Sequence, residues 1–358
     1  MFPIIAPNTR RQLLAAPRGR RRLVIDTDTA NEIDDQFALT WALQSPDLLD
    51  VEAVLVEPYS FAHLRQRLLD ACAALGDTDA EGGMVDSFIG WAARLAAAGI
   101  DARDIPFPGP DVGMAESYQE ALRVYEKVGV PSEGRVFLGS ERYLPSVTEP
   151  IESPAVDRLV ELAMEPADGP LYVAAIGCVT NVASAILKKP EIINNIVVLW
   201  TAGYPSWSPR SNLGSLNLDQ DVAAAHVLFD SGVPLMYFPG FYVGAQLRLS
   251  LPEMEMWVQG RGAIGDYLHH LYTNNPLHAQ RGIFDHFGRT WVMWDMIVIA
   301  WLLDPSWVPT ELVATPTLDD GLHWAPSEDP ERLMREAHGI DRDAIFRDFF
   351  RKLEESTL

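Results

Sequence analysis

The chain has 358 residues, 28 Lys and Arg against 50 Asp and Glu, a net charge of −22 and 48% hydrophobic residues. That is enough for one large α/β domain or two smaller ones, and no uncharged apolar run approaches the roughly 18 residues of a membrane helix. So negative a body repels phosphate backbones, which argues against nucleic acid as a partner and for a cation.

The first 22 residues carry Arg10, Arg11, Arg18, Arg20, Arg21 and Arg22 and no acid. They read as a loose, flexible tail without the apolar stretch of a secretory signal; an Arg-rich, acid-poor start is also the composition of a transit peptide. Leu23 to Ile25 is a short β-rich run, and Phe37, Ala38, Trp41 and Ala42 then repeat at helical spacing. Further strands are expected at 51–56, 135–138, 171–176, 196–200 and 234–238, with helices at 155–164, 179–187 and 222–229. This alternation predicts an α/β fold with a mostly parallel central sheet flanked by helices. Ligands of such sheets bind beyond the carboxyl ends of the strands. An excursion at about 76–116, with Gly82-Gly83 and a Pro-rich stretch around a helical 88–98, interrupts the pattern. The tail after Asp329 predicts one or two amphipathic helices that only pack. Cys72 and Cys178 form no pair motif, so a reducing, cytoplasmic compartment is expected.

Directly after the first strand, Asp26, Asp28, Glu32, Asp34 and Asp35 place five acids in ten residues. Helix capping accounts for one or two of them. Five carboxylates at a strand end repel one another unless a cation or bound protons offset the charge, and a hard divalent ion with all-oxygen ligands suits them.

Asp26-Thr27-Asp28, a turn, and Asp34-Asp35 resemble the opening signature of the inosine-uridine-preferring nucleoside hydrolase family, with a turn two residues longer than usual. Ile176-Gly177-Cys178-Val179-Thr180-Asn181 resembles that family's Gly-Pro-Leu-Thr-Asn turn. Leu216-Asn217-Leu218 with Asp221 and Ala223-Ala224 resembles its Glu-Phe-Asn segment and the helix start that follows. Trp294-Asp295 with Leu303-Asp304-Pro305 resembles its late His-Asp-Pro motif.

The resemblance implies a single large Rossmann-like domain over 23–358. It also implies a calcium ion held by Asp28, Asp35, the carbonyl of Thr180 and Asp295. Asp28 would be the general base that takes a proton from the attacking water. Asp34 and Asn217 would bind the ribose hydroxyls, with Asn31, Glu57, Ser215 and Trp294 completing the substrate contacts. Ser215 replaces the Glu that the family places on the 5′ side of the ribose, and Glu57 either faces the sugar or merely ends a strand. Trp294 stands where pyrimidine-active members place a His, which favours a purine or modified riboside. An aromatic clamp from Trp207, Trp291 and Trp294 is one expectation, and Trp291 alternatively fills core. His269, His270, His278, His286 and Tyr272 are alternative proton donors to the leaving group. Relatives suggest a homodimer or homotetramer. Two other readings compete: a calcium-dependent nucleoside- or sugar-binding protein without turnover, and a haloacid-dehalogenase-like phosphatase with Asp26 as nucleophile.

Overall fold

The expected run Leu23 to Ile25 lies inside β1 (Arg21–Thr27), which is buried on both sides in a computed structural model describing residues 2–75, 88–327 and 329–356. The other strands are β2 (Leu49–Val56), β3 (Val136–Phe137), β4 (Leu171–Ala175), β5 (Ile196–Ala202), β6 (Leu235–Pro239), β7 (Arg248–Ser250), β8 (Thr290–Val292), β9 (Thr310–Ala314), β10 (Thr317–Leu318), β11 (Trp324–Ala325) and β12 (Leu333–Ala337). The helices are α1 (Pro7–Leu13), α2 (Asp34–Leu43), α3 (Arg65–Ala74), α4 (Phe88–Ala97), α5 (Pro110–Val128), α6 (Pro154–Met164), α7 (Thr180–Lys188), α8 (Leu216–Asp219), α9 (Val222–Asp230), α10 (Leu251–Glu253), α11 (Gly262–Thr273), α12 (Pro276–Gln280), α13 (Met296–Leu303) and α14 (Arg342–Glu355).

Eight strands form one sheet in the order β3-β2-β1-β4-β5-β6-β12-β9, parallel throughout except for β9 at the edge. Successive side chains of a strand point to opposite faces. Thus Leu23, Ile25, Tyr172, Ala174, Val197 and Leu199 pack on one face with α2, α5 and α13. Val24, Leu171, Val173, Ala175, Val198 and Trp200 pack on the other with α6, α7 and α9. Both faces are covered, as a parallel sheet requires. The chain leaves β1 for β2 on one side and returns to β4 on the other, so β1 and β4 flank the crevice where such folds bind ligands.

Two expectations change. Residues 7–13, expected within a loose tail, form α1, and Leu14 beyond it is fully buried. Arg10 is buried as well and donates to the carbonyls of Gly232 at 2.7 Å and Leu333 at 3.4 Å, which satisfies a charge that composition alone assigns to solvent. Among the described residues after Asp329 only α14 is helical, and Leu333–Ala337 instead join the main sheet as β12 between β6 and β9. Of the expected excursion, 76–87, including Gly82-Gly83, lie outside the described residues. Its helix, α4, packs on α3 in a small separate core of Leu68, Ala71, Ala92 and Leu95.

Candidate active site

The crevice at the β1–β4 switch opens into a cleft of about 570 Å³ whose lining includes Asp28, Asn31, Asp34, Asp35, Ser215, Asn217, Trp294 and Asp295. Asp28 follows the last residue of β1, and Gly177, just beyond β4, lets it sit close. A Cβ on Gly177 would stand 3.0 Å from the Asp28 carboxyl carbon. Asn31 donates its side-chain amide to Asp28 Oδ2 at 3.2 Å, so it holds the carboxylate as well as lining the cleft.

Asp34 and Asp35 open α2, but the residue before them, Ile33, makes no side-chain cap, so capping does not explain these acids. Their carboxylates turn into the cleft instead. Oxygens of Asp34, Asp35 and Asp295 lie within 4.8 Å of one another, all three residues buried. Thr27 donates its hydroxyl to Asp35 Oδ1 at 2.5 Å.

Burial pushes the Asp28 carboxyl up to about 7, opposed by the Asn31 amide. Burial first, and neighbouring carboxylates second, push Asp34, Asp35 and Asp295 well above the ordinary carboxylate range. A group of buried acids that must hold protons unless positive charge arrives, with oxygen donors only, fits a hard divalent cation.

Asn217 donates one amide group to two main-chain carbonyls, Ile176 at 3.0 Å and Thr201 at 2.9 Å, and so bridges the ends of β4 and β5. Its carbonyl oxygen stays available to a ligand. Ser215 lines the cleft while its hydroxyl accepts the Gly203 amide at 2.7 Å. Trp294 also lines it, its ring close to Gly244 and Gly240, where a Cβ would stand 3.3 and 3.8 Å from the indole.

Several expected residues sit elsewhere. Thr180 begins α7 outside the lining, and its hydroxyl donates to Asp221 at 2.5 Å, whereas Ile176, just beyond β4, lines the cleft. Glu57 does not reach the cleft. It is fully buried, accepts the Asn181 amide at 2.8 Å and the Cys178 thiol at 3.3 Å, and faces Asp26. Burial raises both acids, Asp26 to about 6, which favours a proton shared by the pair. Asp26, buried and taken up by Glu57 and Asn181, is closed to the role of phosphatase nucleophile.

Trp207 is 72% exposed and stacks on Tyr242 outside the lining, so the expected clamp reduces to Trp291 and Trp294. His278, His286 and Tyr272 line the cleft, whereas His269 and His270 do not. Phe61, Phe88, Trp91, Arg94 and Arg281 also line it and carry no motif that singles them out in the sequence. The wall they form is one assembly: Trp91 donates to the carbonyl of Gln280 at 2.9 Å and Arg94 to that of Arg281 at 2.9 Å.

A family model described as inosine-uridine preferring nucleoside hydrolase matches residues 23–347. The chain belongs to this family. It is a family of metal-dependent N-glycosidases. Among curated relatives, a probable uridine nucleosidase 2 of Arabidopsis thaliana is 24% identical over 70% of this chain and 68% of its own length. The non-specific ribonucleoside hydrolase RihC of Salmonella paratyphi B is 29% identical over 57% of this chain and 61% of its own, so the match spans less than two thirds of that relative. Among solved structures, a purine-preferring ribonucleoside hydrolase from Gardnerella vaginalis superposes with a TM-score of 0.60 at 18% identity, covering 94% of this chain and 99% of that one. An inosine-uridine preferring nucleoside hydrolase from Bacillus anthracis gives 0.57 at 16% identity, with the same coverage. At these identities the likeness speaks for the fold of this nucleoside hydrolase family member.

Proposed function

We propose that the protein is a calcium-dependent ribonucleoside hydrolase that cleaves the N-glycosidic bond of a purine or modified riboside. The observation that carries this reading is the convergence of Asp28, Asp34, Asp35 and Asp295, all buried, at the β1–β4 switch. Asp28, Asp35, Asp295 and the Ile176 carbonyl would hold the ion, with Asp34 and Asn217 turned to the ribose hydroxyls. When bound, the ion supplies the positive charge that keeps these carboxylates ionised, and it makes water a better acid.

Asp28 then acts as general base. Its Oδ2 is held by Asn31, which leaves Oδ1 to take the proton of the water that attacks the anomeric carbon. Burial raises the Asp28 carboxyl to about 7 without a cation, and the positive charge of the ion would bring it down again, so that the ionised form accepts the proton. Cleavage passes through an oxocarbenium-like transition state, and the remaining carboxylates stabilise its positive charge. Asn217, with its amide hydrogens committed to Ile176 and Thr201, presents its oxygen to a sugar hydroxyl in a fixed orientation. The indoles of Trp291 and Trp294 give the base a flat apolar surface. Ser215, small and already engaged with Gly203, leaves room on the 5′ side.

A cytoplasmic location is supported by two free cysteines, Cys72 and Cys178. No helix among the described residues is long and apolar enough to cross a membrane. A homodimer or homotetramer would find interface area in exposed apolar side chains such as Phe284 and Phe287.

The test is release of reducing sugar from purine, pyrimidine and modified ribosides and their 2′-deoxy counterparts, with and without chelator. Calcium-dependent release that falls about 10²–10⁴-fold in Asp28→Asn is expected for loss of a general base. Calcium bound in a metal analysis with no sugar released from any compound would point to the binding protein without turnover.

A further inference from the structure

Away from the acids, the same cleft is lined by Arg281, Arg289, His278 and His286. This is unexpected in a chain of net charge −22 with only 28 Lys and Arg. The four belong together. The rings of His278 and His286 are 5.0 Å apart, and His286, Arg281 and Arg289 are the charged neighbours that act on His278.

Three features mark the cluster as built for a ligand. His278 is only 5% exposed, lines the cleft, and among the described residues has no hydrogen-bond partner at either ring nitrogen. A buried donor left in that state costs free energy that an incoming acceptor returns. Arg281 is fixed from two sides: its guanidinium pairs with Glu32 at 2.8 Å and lies 5.8 Å above the Phe61 ring, while its carbonyl receives Arg94. Gly282 makes that docking possible. Its backbone adopts φ +67, and a Cβ there would stand 3.0 Å from the Arg94 backbone. Glu32 offsets one of these positive charges; Arg289, on the exposed rim, remains to meet a ligand.

We propose that Arg281, Arg289, His278 and His286 form a subsite for an anionic group of the substrate, so that the hydrolase takes ribosides carrying a phosphate or a carboxylate. The proposal rests on the ribonucleoside reading above and narrows its substrate class. Arg281 and Arg289 supply charge-assisted hydrogen bonds, and His278 gains the partner it lacks. The anion arrives either as a 5′-phosphate on the sugar or as a carboxylate on the base.

The experiment compares three kinds of riboside at constant ionic strength: neutral nucleosides, their 5′-monophosphates, and ribosides whose base carries a carboxylate. Hydrolysis is measured on the full chain with calcium. Binding of the same compounds to Asp28→Asn is measured by calorimetry. One anionic kind should exceed the neutral nucleosides in kcat/KM, and the anionic-to-neutral ratio should fall about tenfold in Arg289→Gln and in Arg281→Gln, mostly through KM. The kind that shows this names the source of the anion. The Arg289 side chain is exposed and makes no hydrogen bond or ion pair among the described residues, so its variant should fold even where Arg281→Gln does not. Neutral nucleosides cleaved at least as well as both anionic kinds, with the ratio unchanged in Arg289→Gln, would overturn the subsite and leave the glycosidase standing. No cleavage of any riboside would sink the hydrolase reading alone. Calorimetry then decides the subsite: anion-selective binding weakened in Asp28→Asn carrying Arg289→Gln supports it, and equal binding of neutral and anionic compounds refutes it.

Discussion

The main-chain amide of Asp295 donates to Asp34 Oδ2 at 3.3 Å, joining two acids that are 261 residues apart in the chain. Asp34 lies in the first turn of α2 and Asp295 is the residue before α13, and neither helix start uses a side-chain cap. Two helix N-termini therefore open on the same point. Their partial positive charge offsets some of the repulsion among Asp34, Asp35 and Asp295, but not three buried carboxylates. The arrangement stores negative charge at the end of the sheet without a full counter-charge from the fold, which is the electrostatic basis of a cation site.

Asn217 gives the sharpest substitution test because both of its amide contacts are main-chain carbonyls. Asn217→Asp would set a carboxylate against the Ile176 and Thr201 oxygens, 3.0 and 2.9 Å from the present nitrogen. The repulsion should turn the side chain away from the sugar. We expect kcat/KM to fall about 100-fold, the equivalent of about 2.7 kcal/mol in lost hydrogen bonding to the reacting sugar. Steady-state kinetics check this, and unchanged kcat/KM would remove Asn217 from the substrate contacts.

Glu57 should matter for stability, not for chemistry. Its carboxyl is buried against Asp26 and raised well above the ordinary range, which favours one proton shared by the two acids. Gln at 57 keeps a donor toward Asp26, whereas Ala leaves the Asn181 main-chain amide without a partner and Asp26 with the Asn181 side-chain amide alone. Glu57→Ala is expected to cost about 3 kcal/mol and Glu57→Gln less than half of that. Urea unfolding measures both. A loss of kcat in Glu57→Gln with stability intact would instead place Glu57 in the reaction.

The sheet and the acids were legible because each leaves a local mark. Apolar runs such as Leu171 to Ile176 announce buried parallel strands, and acids just beyond them announce the ligand end. What stayed hidden depends on partners distant in sequence. Arg335 and Glu336 break the apolar pattern of β12, yet Arg335 donates to the Leu14 carbonyl at 2.7 Å and Glu336 accepts the Ser206 amide at 2.7 Å. Arg10 is matched by carbonyls of Gly232 and Leu333 in the same way. The cleft wall of Phe61, Trp91, His278 and Arg281 comes from separate segments brought together by docking of α4 on the loop after α12. No spacing rule links them. The Thr180 motif lies at the expected strand end, where its side chain serves Asp221 and Ile176 is the segment's residue that lines the cleft.

Removing calcium should cost stability. Without a cation the four carboxylates must keep protons or repel one another, and their raised affinity for protons means that the metal-free protein loses stability as pH rises through about 7. Calcium binding to the folded state alone would add about 2.7 kcal/mol at a hundredfold excess over Kd. Thermal unfolding at pH 7.5 should show a lower Tm with chelator, restored by calcium and no longer restored in Asp35→Asn. An identical Tm with chelator and with calcium, together with no calcium in a metal analysis, would remove the ion from the site.

His278 predicts the opposite pH slope at the acid end. Burial first, then the charges of His286, Arg281 and Arg289, lower it to about 4 from an ordinary value of 6.5. Between those values the unfolded chain binds a proton that the folded one refuses, so stability rises with pH across the window. The contribution is complete above about pH 6.5 and is lost as pH falls toward about 4, with a slope of at most about 1.4 kcal/mol per pH unit for one proton. His278→Gln removes the titrating group and should flatten that part of the profile. Urea midpoints of both proteins from pH 4.5 to 7 at constant ionic strength decide it: the same slope in the two would show that another group carries the effect, and a flatter slope in the variant assigns it to this imidazole.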